Sequence, residues 1–152
     1  SWSPAALGST NCNVQVSPLS TELKIGAQFP VMAGLTAEVP LDLSTWFKEQ
    51  GQNYRVVLVD CLTMWLSNHI ERGTKEREIL EETRALLRLI RRIGGRVVLV
   101  SNELGMGLVP ADAASRRFRE LAGEVNRLVA QEADDTYFVV SGLLIPLRKE
   151  AL

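Results

Sequence analysis

Residues 55–101 read RVVLVDCLTMWLSNHIERGTKEREILEETRALLRLIRRIGGRVVLVS, and this stretch decides the fold. It opens on RVVLVD (55–60) and closes on RVVLVS (96–101), two continuous apolar runs with polar ends. Such runs read as strands buried on both faces, the signature of a parallel sheet covered by helices. Between them lie two helical segments. Residues 61–70 have helical character. Residues 76–93 form an amphipathic pattern with Ile79, Leu80, Leu86, Leu87, Ile90 and Ile93 on one side, stopped by Gly94 and Gly95. Strand, helix and parallel strand make a βαβ unit.

The same alternation continues outward. Upstream, Leu43, Trp46 and Phe47 stand at helical spacing and Gly51 closes a short helix. Downstream, a Gly-rich loop (102–110) leads into a long helix (111–132), then the strand TYFVVS (136–141) and an edge strand over 144–148. The expected fold is α/β, with residues 56–60, 97–101 and 137–141 as neighbouring core strands of one mainly parallel sheet. Residues 1–34 differ: rich in Ser, Thr, Asn, Gly and Pro, they show no sustained period and read as irregular, with one short strand at 28–32. Residues 35–152 are expected to form a single α/β domain.

The chain has 152 residues, 46% hydrophobic and 23% charged, enough for one domain with its own core. Its 17 basic and 18 acidic residues nearly cancel, which argues against a nucleic-acid partner. Cys12 and Cys61 make neither a disulfide framework nor a CxxC pattern, so a reducing cytoplasmic setting is expected. Neither a signal peptide nor a membrane-length apolar run is present in the sequence.

Ligands of open α/β sheets bind beyond the carboxyl ends of the strands. Three core strands end in polar groups: Asp60, then Ser101, Asn102 and Glu103, then Ser141 and Gly142. Together they suggest a site, although each alone also serves as a strand or helix cap. Asp60 ends a run of the hhhhD type, whose carboxylate in phosphate-loop enzymes orients Mg²⁺. Gly105 and Gly107 permit close backbone approach or make a wide turn. On the long helix, Phe118, Leu121, Val125, Leu128 and Val129 form the buried stripe. Arg116, Arg119, Gly123 and Asn126 share another face, which is either solvated or part of a site. Gly123 costs about 1 kcal/mol relative to Ala in mid-helix and calls for a close neighbour, a ligand or a subunit. His69, the sole histidine, has no Cys or His at metal-ligand spacing and is expected near the surface at a helix end. Cys61, Met64 and Trp65 read as core.

Four segments carry a specific resemblance. VVLVDCLTMWLSN (56–68), VVLVSNELGMGLVPADAASRRFRELAGEVNR (97–127), YFVVSGLLIPLRK (137–149) and TAEVPLDL (36–43) resemble the adenosylcobinamide kinase/adenosylcobinamide-phosphate guanylyltransferase family. The resemblance implies a RecA-like P-loop domain that assembles as a homotrimer. It implies ATP- or GTP-dependent phosphorylation of adenosylcobinamide with Mg²⁺, then GMP transfer from GTP through a guanylylated histidine. Carried over by position, Glu38 and Asp60 match the family's acidic nucleotide contacts. Asn102, Glu103, Arg116, Arg119 and Asn126 match patterned positions without assigned roles.

The departures are as specific. The 152 residues contain no G-x-x-x-x-G-K-[ST], and the histidine nucleophile expected upstream of the Thr36–Glu38 segment has no counterpart. His69 falls where the family usually has an apolar residue. The expectation is a truncated or frame-shifted gene product without kinase or guanylylation activity of its own. The alternatives are a non-catalytic nucleotide-binding or oligomerising relative, and an unrelated α/β enzyme using Glu103 and the arginines.

Overall fold

The computed structural model describes residues 13–18 and 42–148. They fall into two compact units, the first ending at Asn102 and the second beginning at Glu103.

The first unit is built around strand β2 (Tyr54–Asp60), which lies between β1 (Asn13–Pro18) and β3 (Arg96–Val100). β1 runs antiparallel to β2, with Asn13 opposite Asp60; β3 runs parallel, with Asp60 opposite Val100. A parallel pair needs a crossover. Helices α2 (Leu62–Glu71) and α3 (Glu76–Ile90) supply it, as the 55–101 stretch predicts. Helix α1 (Leu43–Gln50) precedes them and packs against α3. Its N-cap Asp42 accepts from the Thr45 amide at 3.0 Å. That hydrogen bond satisfies one orphan N–H of the first turn and holds the Asp42 carboxyl below its usual pKa.

Val57 and Val59 of β2, Leu43 and Phe47 of α1, Trp65 and Leu66 of α2, and Ile79 and Leu86 of α3 form the core. On α3 the buried positions are Ile79, Thr83, Leu86 and Leu87, one face at helical spacing. Leu80, Ile90 and Ile93 of the expected stripe are half-buried. Met64 is half-buried as well, whereas Cys61 and Trp65 are core as expected. Gln52 ties the end of the crossover to the start of β2, donating to the Arg92 carbonyl at 2.8 Å. Gly95 permits β3 to reach β2, because a Cβ there would collide with the backbone of Tyr54 and Arg55.

One expectation fails here. β3 is not buried on both faces: Val97 and Leu99 are half-buried, while Val98 and Val100 are exposed. In the first 34 residues a strand stands at Asn13–Pro18; the segment 28–32, where one was expected, lies outside the described residues.

The second unit contains a 3₁₀ turn (Leu104–Met106), the 20-residue helix α4 (Ala113–Glu132) and a hairpin of β4 (Thr136–Val140) with β5 (Leu143–Leu147). α4 is capped by Asp112, which accepts from the Ser115 amide at 2.7 Å. It buries Leu121, Ala122 and Val125; Phe118, Leu128 and Val129 of the expected stripe are half-buried.

Residues 136–141 do not join β2 and β3 in one sheet, which corrects the expected three-strand core. β4 belongs to a separate two-stranded sheet and pairs antiparallel with β5, Val140 opposite Leu143. The β4–β5 pairing itself has a local cause. Ser141 and Gly142 take φ of 50° and 77°, the left-handed pair that a tight two-residue hairpin turn needs. Their polar character is therefore spent on the turn. The edge strand expected at 144–148 is present as β5, and Pro146 is at home on such an edge. The α/β class, with a parallel strand pair and its crossover helices, is as the sequence implies. No helix among the described residues is long and apolar enough to cross a membrane.

Candidate functional site

The carboxyl ends of β2 and β3 form one crest of the first unit. Asp60 ends β2 exposed to solvent, in register with Val100, and Asn102 follows two residues after Val100. Asn102 is fastened to the start of α2. Its backbone N–H donates to Thr63 Oγ1 at 3.1 Å, and its side-chain amide donates to the same oxygen at 3.2 Å. The amide also approaches the Cys61 sulfur at 3.9 Å. Asp60 and Asn102 thus share one end of the sheet. Glu38 lies outside the described residues. Thr63 was not singled out from the sequence, although its place just inside the helix that follows the Asp60 strand was a usable signal.

In the second unit, Glu103 starts the 3₁₀ turn and its carboxylate accepts from the Gly105 amide at 2.7 Å. The loop that follows is fastened from α4. Arg116 Nη1 donates to the carbonyls of Pro110 at 3.0 Å and Ala111 at 2.6 Å. Arg119 Nη1 donates to the Leu108 carbonyl at 3.1 Å, and its Nη2 to that of Gly105. Both arginines are half-buried, so the solvated-face alternative does not hold for them. The guanidinium fork suits this task, because one side chain reaches two carbonyls in fixed geometry.

Loop and helix border an open cleft of about 270 Å³ lined by Glu103, Gly105, Arg116, Arg119, Glu120 and Gly123, with Val109 at its wall; of these only the two arginines are half-buried. Among the described residues nothing approaches within 4 Å of where a Gly123 Cβ would stand. A close-packed neighbour therefore does not explain this glycine within the described chain. Asn126, on the same helix face, is not part of the lining. Glu120 was missed in the sequence, where only its position beside Arg119 marks it.

His69 departs from its expected surface position. It is 8% exposed, with its ring edge-on to Trp65 (4.5 Å between centroids) and Nε2 3.6 Å from Glu82 Oε1. Burial lowers its pKa below the usual imidazole value, while Glu82 pulls the other way. The helix end faces α3 rather than water, which the sequence pattern of α2 alone does not disclose. Among the described residues no three His, Cys, Asp or Glu side chains group as a metal site. Asp60 alone nevertheless fits magnesium, which keeps most of its waters and needs only one or two carboxylates beside phosphate oxygens.

Residues 35–147 match the family model described as cobinamide kinase / cobinamide phosphate guanyltransferase. A bifunctional adenosylcobalamin biosynthesis protein, CobP, from Pseudomonas aeruginosa is 38% identical over 117 residues, 77% of this chain and 67% of the relative. The bifunctional adenosylcobalamin biosynthesis protein CobU of Salmonella typhimurium is 34% identical over 104 residues, 60% of this chain and 58% of its own length. Its Escherichia coli namesake is 33% identical over 105 residues, 61% of this chain and 58% of the relative. The chain thus spans little more than half the length of the latter two relatives. It belongs to the cobinamide kinase / cobinamide phosphate guanyltransferase family.

Proposed function

We propose that this chain serves cobalamin biosynthesis by binding the substrates of the two reactions its family is named for. These are phosphorylation of cobinamide from a nucleoside triphosphate and transfer of GMP from GTP to the resulting phosphate. The observation that carries the reading is the continuous family match over residues 35–147, with Asp60 exposed at the end of β2 inside it.

Under this reading Asp60, with Glu38, takes the nucleotide side of the site. Magnesium held by Asp60 supplies, when bound, positive charge against the phosphate oxygens. Asn102 keeps the crest in shape by fixing the end of β3 to α2 through Thr63. Arg116 and Arg119 shape the neighbouring loop, and Glu103 fixes its first turn. Asn126 stands on the same helix face in a role this reading leaves unassigned.

The 152 residues contain neither a Gly-Lys-[Ser/Thr] phosphate loop nor any histidine besides His69. Loop amides and lysine hold the β and γ phosphates in line for attack. His69, buried between Trp65 and Glu82, is not presented as a nucleophile. The polypeptide of these 152 residues is therefore expected to bind substrates without turning them over. A second reading, a non-catalytic nucleotide-binding or oligomerising relative that assembles as a homo-oligomer, is favoured by the same two observations.

Equilibrium binding of GTP tests the first reading. Magnesium-dependent binding that Asp60→Asn weakens about tenfold is expected. Binding indifferent to both magnesium and Asp60 would remove Asp60 from the site.

A further inference from the structure

The loop after β3 combines two properties that seldom occur together. Leu108 is 96% exposed, Met106 74% and Val109 71%, so three large apolar side chains stand in water on one short turn. The same turn is held by five hydrogen bonds already described, four from Arg116 and Arg119 and one to Glu103. An apolar tip free to move would fold back onto its own unit. A tip held outward in fixed form is preorganised for a ligand, which then loses less entropy on binding. Exposed apolar patches on such a frame mark interaction sites.

The cleft beneath the tip indicates which ligand. Two guanidinium groups and two carboxylates line it, and neither arginine makes a salt bridge among the described residues. The Asp112 carboxylate stands near enough to Arg116 to feel its charge. A nucleoside triphosphate, strongly anionic, is a poor match for walls carrying Glu103 and Glu120. A ligand with amide arms needs donors and acceptors side by side, and this lining pairs them. At about 270 Å³ the cleft holds an arm of a large ligand but not its body. The body would lie on the exposed tip. Gly123 fits the same scheme: the space its missing side chain leaves opens into the cleft.

We infer that the arginine-held loop and the cleft beneath it are where the corrinoid substrate docks, its methyl-bearing ring against Met106, Leu108 and Val109 and an amide arm between Arg116, Arg119 and Glu120. The inference rests on the family reading and adds to it the surface that recognises the acceptor.

The test is equilibrium dialysis of the full chain against cobinamide, whose corrin absorbs in the visible, beside GTP binding as an independent readout. Leu108→Ser and Val109→Ser lie at exposed positions and are expected to keep the wild-type urea midpoint. Each is expected to weaken cobinamide binding about tenfold, the loss that follows from one large apolar contact. Gly123→Leu, which fills the cleft, is expected to abolish cobinamide binding and leave GTP binding unchanged. Wild-type cobinamide affinity in all three variants overturns the docking site and leaves the family reading standing. A wild-type chain that does not bind cobinamide overturns both. If Leu108→Ser instead lowers the sedimentation coefficient of the wild-type protein, the tip is a subunit contact and the inference fails.

Discussion

Asn102 and Thr63 are joined twice: the backbone N–H and the side-chain amide of Asn102 both donate to the one hydroxyl oxygen of Thr63. A single oxygen thereby fixes the end of β3 to the first turn of α2, at the crest that carries Asp60. Thr63→Val keeps the shape and removes the one acceptor of both hydrogen bonds. It is expected to cost about 1–2 kcal/mol in urea unfolding. Thr63→Ser, which keeps the oxygen, should restore most of that loss.

Gly95 and Gly123 should respond in opposite directions to the same change. A methyl at Gly95 meets the backbone of β2, so Gly95→Ala is expected to lower stability by about 1–3 kcal/mol. A methyl at Gly123 meets open space, so Gly123→Ala should gain up to about 1 kcal/mol of helix propensity. Thermal melts of the two variants check both signs. A destabilised Gly123→Ala would show that something packs on this face.

Arg119 should act on the loop more than on the whole fold. Lysine cannot reach the Leu108 and Gly105 carbonyls together. Arg119→Lys is therefore expected to raise amide hydrogen exchange over residues 104–110 about tenfold, with less than about 1 kcal/mol change in global stability. Unchanged exchange would mean that the arginine is not what holds the loop.

His69 gives the first unit a pH dependence whose sign is fixed. Burial lowers its folded pKa below the unfolded value near 6.5, opposed by Glu82 and Asp42 and assisted by Arg72. The unfolded chain then binds the proton more readily. The stability this residue contributes is present above the unfolded pKa and is lost as pH falls from there through the folded pKa. Urea midpoints should decline from pH 7 toward pH 5, and His69→Phe should flatten the decline within that window. An equally steep decline in the variant would assign it to carboxylates.

The sequence carries β2, α2, α3, β3, α4 and the β5 edge because apolar periodicity and Gly punctuation specify elements locally. It is less informative about what each element meets. RVVLV looks alike whether both faces or one are covered, and in β3 only Val97 and Leu99 are even half-buried. β1, reading NVQVSP, has too short an apolar alternation to stand out in a polar segment. Strand–helix alternation points the TYFVV strand to the central sheet; the Ser141–Gly142 turn pairs it with β5, and alternation alone does not disclose which strands lie beside it. At the site, residue types and positions were legible; roles were not. That Arg116 and Arg119 hold a loop depends on where Pro110, Leu108 and Gly105 point their carbonyls. No helical wheel contains that.

The proposed function has these 152 residues bind the family's substrates without turning them over. The direct measurement is incubation of the purified chain with radiolabelled GTP and magnesium, followed by acid and base treatment of the protein. The account predicts no covalent label. His69, the sole histidine, is 8% exposed, edge-on to Trp65 and 3.6 Å from Glu82. A protein-bound, acid-labile and base-stable label that disappears in His69→Ala would contradict it.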